Sequence, residues 1–108
     1  MDEAQVLFDE IAEQLARQPG VMRTKMFGMP TVKVNGNAFM SFDKGEMVFK
    51  LKGENHARAL AIPGSRAFDP SGRGRPMKEW VSIPAAASDL WTDFADAALA
   101  YVSGLPMK

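Results

Sequence analysis

An α+β fold built on an antiparallel sheet is what this sequence predicts, and three features predict it. Apolar residues recur at helical spacing near both ends of the chain, the middle reads as short runs of period-two alternation, and tight-turn signals such as Asn35-Gly36 separate those runs. The 108 residues are the size of one domain, so residues 1–108 are read as a single unit. A hydrophobic content of 46% is enough to build a core without staples.

The first helix is read from Val6, Leu7, Ile11 and Leu15, with Asp2 and Gln5 spaced as a capping box, an end near Gln18 and Gly20 as the stop. Val21 to Phe27 reads as extended. Gly28-Met29-Pro30 breaks it and Thr31 to Val34 resumes it before the hairpin turn at Asn35-Gly36, whose flanking strands are then the second and third of about four segments. Ala38, Met40 and Phe42 share one face of the next strand. After the turn at Asp43-Lys44-Gly45, Met47, Phe49 and Leu51 alternate with Val48, Lys50 and Lys52, which predicts one apolar face and one partly basic face.

Glu54 to Ala61 is expected to form a short helix with Ala57, Leu60 and Ala61 toward the core, ended by Pro63-Gly64. Arg66 to Phe68 is a brief strand. Residues 69–76 carry two prolines and two glycines in eight positions and read as a loop. Met77 to Ile83 is the last strand, closed by Pro84. Ser88 is placed to cap a final helix whose Trp91, Phe94, Ala95, Ala98, Tyr101 and Val102 form one apolar stripe.

Composition removes several classes of chemistry. With no cysteine there is no disulfide framework, thiolate zinc site or cysteine nucleophile, and a single histidine leaves no multi-histidine metal centre. No cofactor is therefore expected. Four acidic residues and no basic one in Met1 to Glu10 do not fit a secretory leader, and no apolar run approaches the ~20 residues of a membrane span, so a cytoplasmic protein without membrane partners is expected.

Thirteen basic residues balance thirteen acidic ones, but unevenly along the chain. Residues 1–22 set five acidic groups against Arg17, a net −4. Residues 23–78 set eleven basic groups against four acidic ones, a net +7, and the remainder carries −3. Such asymmetry marks either an anionic partner or acidic helices packed beside a basic sheet, within the monomer or across a dimer; the second reading is preferred.

Arg23-Thr24-Lys25-Met26-Phe27-Gly28 resembles the R-x-K-M-F-G signature that opens the N-terminal domain of the TfoX/Sxy competence-regulator family. Val34-Asn35-Gly36-Asn37-Ala38-Phe39 is similar to its V-D-G-x-x-F hairpin. Met47 to Leu51 resembles its L-Y-L-K-V strand, and Gly74-Arg75-Pro76-Met77 with Trp80 and Ile83-Pro84 its later G-x-x-M-x-Y-x-x-V-P run. The motif residues carried over are Met26, Phe27, Gly28, Gly36, Phe39, Met77, Trp80 and Pro84. The resemblance implies a two-layer, secretion-chaperone-like arrangement, α-β(3)-α-β(2)-α, over a single domain, with which the four strand segments agree if residues 21–34 form one bent strand. Met29-Pro30 departs from it where relatives carry another glycine and an aromatic. Full-length competence regulators add a helical C-terminal domain that this sequence does not contain, so DNA uptake is not carried over.

Candidate surfaces are basic. Arg23, Lys25, Lys33 and Lys50, with Lys52, lie on neighbouring strands and would form a patch if they share a face; lysines that merely blunt sheet edges need the same positions, and that reading is preferred. Lys50, between Phe49 and Leu51, requires a carboxylate or backbone acceptor if partly buried. Arg73 and Arg75 sit in a Gly/Arg loop suited to phosphate or carboxylate, though more simply a polar connection. Phe27, Phe39 and Trp80 are candidates for base stacking, the two phenylalanines being better explained as core. His56 has no serine or aspartate at a catalytic spacing and reads as a surface residue.

The sequence therefore predicts a non-enzymatic regulatory or protein-interaction domain resembling the TfoX N-terminal domain, with a protein partner or a second copy as a homodimer. A nucleic-acid-binding module using the basic strands and Gly/Arg loop is the alternative. A small-molecule or hydrolytic domain would require a deep pocket with a perturbed ionisable group.

Overall fold

Three two-residue turns shape the front half of the molecule. Phe27-Gly28, Asn35-Gly36 and Lys44-Gly45 all have positive φ at both positions, 53° and 78°, 52° and 84°, and 50° and 81°. These are the values of type I′ turns, whose twist matches that of the strands they join. They connect β1 (Val21–Met26), β2 (Met29–Val34), β3 (Asn37–Asp43) and β4 (Glu46–Lys50) into an antiparallel meander. The structure is a computed structural model and describes residues 3–69, 74 and 77–107.

The meander is preceded by α1 (Glu3–Leu15) and followed by α2 (Glu54–Leu60), β5 (Arg66–Phe68), β6 (Met77–Ile83), a 3-10 helix at Ala85–Leu90 and α3 (Trp91–Ser103). β6 pairs with β4 and β5 closes the far side. The result is one antiparallel sheet of six strands, ordered β1-β2-β3-β4-β6-β5, with three helices packed against it: an α+β fold.

One correction concerns residues 21–34. They are two strands, so four strands precede α2 as the count of strand segments expects, and the three implied by the resemblance, which would need one bent strand there, are corrected. Phe27-Gly28 makes a full reversal, closed by Met26 opposite Met29. Pro30 fits because the β2–β3 ladder begins only at Thr31, opposite Ser41.

The helix-side core is built from Val32, Val34, Phe39, Met40, Phe42, Met47, Phe49, Val81 and Ile83 of the sheet under Phe8, Ile11 and Leu15 of α1 and Trp91, Phe94, Ala98 and Val102 of α3. Trp91 is wholly buried and donates its indole N–H to the Ile83 carbonyl at 3.2 Å, which satisfies a polar group that would otherwise be costly to bury. Phe8 against Phe42 and Phe49 against Phe94 form tilted ring pairs at 5.4 and 6.2 Å.

A second cluster occupies the opposite face of the sheet. Met29, Val48, Phe68 and Trp80 are buried there, with Met26, Ala38 and Met77 packed against them. None of these residues is helical. Hydroxyls line the middle of this face: Thr31 Oγ1 donates to the Met29 carbonyl at 3.1 Å, so the 2.9 Å contact between Thr31 and Ser41 uses the Ser41 proton. Ser82 Oγ donates to Glu46 Oε1 at 2.6 Å. The expected partly basic face carries Lys33 and Lys50, and its centre is apolar and hydroxylic.

Several finer expectations are revised. In β3 the register shifts opposite Val32 and Lys33, where Ala38 pairs with Lys33 and Met40 with Val32. Phe39 is the extra residue of a bulge, which sends Phe39 and Met40 to the helix side and Ala38 to the other. In α1, Phe8 is buried and Val6 is 37% exposed. The helix stops at Leu15 and unwinds through bonds from Arg17 to Gln14 and Gln18 to Leu15. In α2 the buried residue is Ala59, whereas Ala57, Leu60 and Ala61 are exposed. Ser88 does not cap α3, because the 3-10 helix runs into it and Leu90 stands at its N-terminus. Asp2 and most of the loop over 69–76, including Arg73 and Arg75, lie outside the described residues.

Candidate interaction surface

Strand parity separates the basic residues that the sequence places together. Arg23 lies opposite Val32 and Lys25 opposite Pro30, on the helix side, whereas Lys33 lies opposite Ala38 and Lys50 opposite Trp80, on the other. Side chains alternate faces along a strand, so no single patch contains all four. Lys52 lies beyond the end of β4 and is exposed.

Internal carboxylates neutralise part of the positive charge. Arg23 Nη2 meets Asp9 Oδ1 at 2.8 Å, with the guanidinium carbon 5.6 Å from the centre of the Phe8 ring. Lys50 Nζ lies 3.9 Å from Glu79 Oε1, the carboxylate partner expected for it, and Arg66 lies 3.5 Å from Glu46. Glu79 also accepts from the Tyr101 hydroxyl at 2.9 and 3.1 Å. Burial first, then the hydrogen bond to Glu79 and its negative charge, raise the Tyr101 pKa above the ordinary tyrosine value. Among the described residues, Lys25 and Lys33 have no ion pair.

The motif residues divide into core and turn. Phe39 and Trp80 are buried and Met26 and Met77 are half-buried in the second cluster. Gly28 and Gly36 provide the left-handed second positions of their turns, and Pro84 precedes the 3-10 helix and accepts the Ala87 N–H through its carbonyl. Phe27 is the exception. It is 71% exposed at the tip of the β1–β2 hairpin, not in the core.

The hairpin presents an open edge that sequence reasoning missed. β1 has only β2 as a neighbour, and its central residues Arg23, Thr24 and Lys25 are all exposed. The turn closes at Met26–Met29, and Asn35 N–H bonds the Gly20 carbonyl at 2.9 Å at the other end of the pair. In an antiparallel pair hydrogen-bonded positions alternate, so Met22, Thr24 and Met26 bond to β2. The backbone groups of Val21, Arg23 and Lys25 therefore face away from the sheet. Val21 N–H is satisfied by the Gln18 carbonyl at 3.2 Å; among the described residues the N–H groups of Arg23 and Lys25 have no partner. Met22, 58% exposed, adds apolar surface on the face opposite Arg23 and Lys25. The other sheet edge, β5, has three residues and an irregular register, which makes it a poor template.

Two shallow surface depressions among the described residues involve α1. One, about 250 Å³, is an open hollow on α1 lined by Glu10, Glu13, Gln14 and Arg17; the other, about 110 Å³, lies between α1 and α3 against Ile11, Gln14, Leu15, Gln18, Thr92 and Asp96. His56 engages the Lys78 carbonyl through Nε2 at 2.8 Å. No helix among the described residues is long and apolar enough to cross a membrane. Compared with protein-family models, curated proteins and solved structures, the chain matches none.

Proposed function

We propose that this chain is a non-enzymatic interaction domain of the kind its resemblance to the TfoX N-terminal domain implies, and that it engages another polypeptide through the β1–β2 hairpin. The observation that carries the reading is Phe27: an aromatic side chain held at φ 53° and left largely in water. A non-glycine residue in the left-handed region costs about 1–2 kcal/mol, and no core contact of this ring compensates. A strained, exposed aromatic next to an unpaired edge is what a contact surface requires.

The alternative, a nucleic-acid module, draws less support. Arg23, Lys50 and Arg66 already face carboxylates, and the remaining lysines of the sheet point to opposite faces.

Site-specific photo-cross-linking in the native cell tests the reading. With p-benzoylphenylalanine at position 27 or 22, a discrete protein adduct that is competed by unmodified protein is expected, and none from the same group at Arg17 on α1. Adducts independent of position, or none, would overturn it. A nuclease-sensitive adduct would transfer support to the alternative.

A further inference from the structure

We infer that the β1 edge is a docking site for an extended acidic segment of another polypeptide, which adds to the sheet as a seventh strand. This rests on the interaction reading above and specifies the chemistry of the partner.

The backbone supplies the template. Arg23 and Lys25 turn both N–H and C=O outward, and Val21 adds a third carbonyl, so three alternate residues of a regular strand offer hydrogen bonds over the length of β1. An added strand would satisfy these groups without displacing any bond of the β1–β2 ladder, because that ladder uses Met22, Thr24 and Met26.

The side chains choose the occupant. Residues opposite each other on adjacent strands point to the same face, so the partner residues facing Arg23 and Lys25 lie on the helix side and are two positions apart. Lys25 has no carboxylate among the described residues, and Arg23, with its five donors, shares one bond with Asp9 and keeps others. Acidic residues at these two partner positions are therefore complementary. Between them, the residue opposite Thr24 shares its face with Met22 and favours a β-branched or apolar side chain.

A second copy is the wrong occupant for the same reason. With two β1 strands paired about a two-fold axis, the outward residues meet as Arg23 on Lys25, Arg23 on Arg23 or Lys25 on Lys25, according to register. Like charges directly opposite are destabilising. The basic residues that keep this edge from pairing with itself thus select for an acidic strand.

The test uses the full chain, 15N-labelled, and a capped peptide of alternating valine and glutamate seven residues long. Saturating peptide is expected to slow hydrogen exchange of the Arg23 and Lys25 amides by about tenfold or more and to leave Thr24 and Met26 unchanged, since those are already bonded to β2. Glutamine in place of glutamate should weaken binding about fivefold, from two lost cross-strand charge pairs, and lysine in its place should abolish it. Lys25→Pro removes an outward N–H and leaves the ladder intact, so it should lose peptide binding at unchanged thermal stability. The double variant Arg23→Glu, Lys25→Glu should reverse preference toward the lysine peptide.

Unchanged Arg23 and Lys25 exchange at millimolar peptide, equal binding of the lysine peptide, or shifts centred on the Lys33–Lys50 face would each overturn the proposal. So would protection of these two amides by self-association alone. A position-27 adduct in cells combined with failure of the peptide would leave the interaction reading standing and remove the acidic strand; failure of both would remove both.

Discussion

Phe27→Asn should make the protein more stable. Position 27 is the first residue of a type I′ turn and has φ 53°, where asparagine is tolerated and phenylalanine is strained. Relief of that strain is worth about 1–2 kcal/mol. Against it stands the loss of the part of the ring that is covered. A phenylalanine can bury about 150–250 Å², and with 71% of this residue exposed, the covered part is about a third at most. At about 25 cal/mol per Å² that is no more than about 1–2 kcal/mol, an upper bound because the unfolded chain also shields some of it. The net expectation is a gain of about 0.5 kcal/mol, or roughly 2–4 °C in Tm for a domain of this size. Phe27→Val, with a branched β-carbon at the same φ, should instead lose about 1 kcal/mol. Chemical denaturation of the three proteins under one buffer condition decides the matter. A loss above about 1 kcal/mol for Phe27→Asn would mean that the ring packs in solution, and the argument that it is kept for contact would fail.

Three further outcomes follow from the packing and the charges. Trp91→Phe should cost about 2–3 kcal/mol in denaturant unfolding, because it opens a cavity and leaves the Ile83 carbonyl without its donor. The single tyrosine should ionise above its ordinary value in an absorbance titration, and Glu79→Gln should bring the midpoint down by removing the negative charge. Since the folded state holds this proton more tightly than the unfolded state, the associated stability is intact below pH 10 and is lost as pH rises through the Tyr101 transition. Lys50→Met should change stability by less than about 1 kcal/mol, since the half-buried, 3.9 Å pair with Glu79 gives up little on removal; a larger loss would show the pair to be a strong structural link.

Periodicity made most of the elements legible. The stripe of α3, the meander over residues 37–50 and β6 follow from spacing alone, and Asn35-Gly36 carries its turn type in its residue types. What was hidden needed three-dimensional accounting. Phe27-Gly28 does not advertise a turn, because an aromatic residue is a poor choice for a left-handed position, and without that turn the parity of β1 cannot be assigned. The bulge at Phe39 is equally silent: it is one extra residue within the apolar run Ala38-Phe39-Met40, so simple alternation puts Ala38 on the wrong face. Lys50 was readable in kind, since a lysine among buried neighbours needs an acceptor, but its partner Glu79 is supplied by β6, 29 positions later in the chain. The basic patch failed because proximity of strands does not imply a common face. The open edge could have been read from two equal six-residue runs flanking Phe27-Gly28, which is the length pattern of a hairpin.

The strand order has a consequence for synthesis of the chain. The four strands of the meander are joined by turns of two residues each and are complete at Lys50, so their pairing is local and rapid. β4, however, reaches its second neighbour only when β6 has been made, beginning at Met77. At the ~5–20 residues per second of translation, the nascent chain passes several seconds with Met47, Val48 and Phe49 on an uncovered flank. During that interval β4 is the segment most exposed to wrong pairing on the ribosome, and the final helix, which seals Phe49 against Phe94, comes last of all.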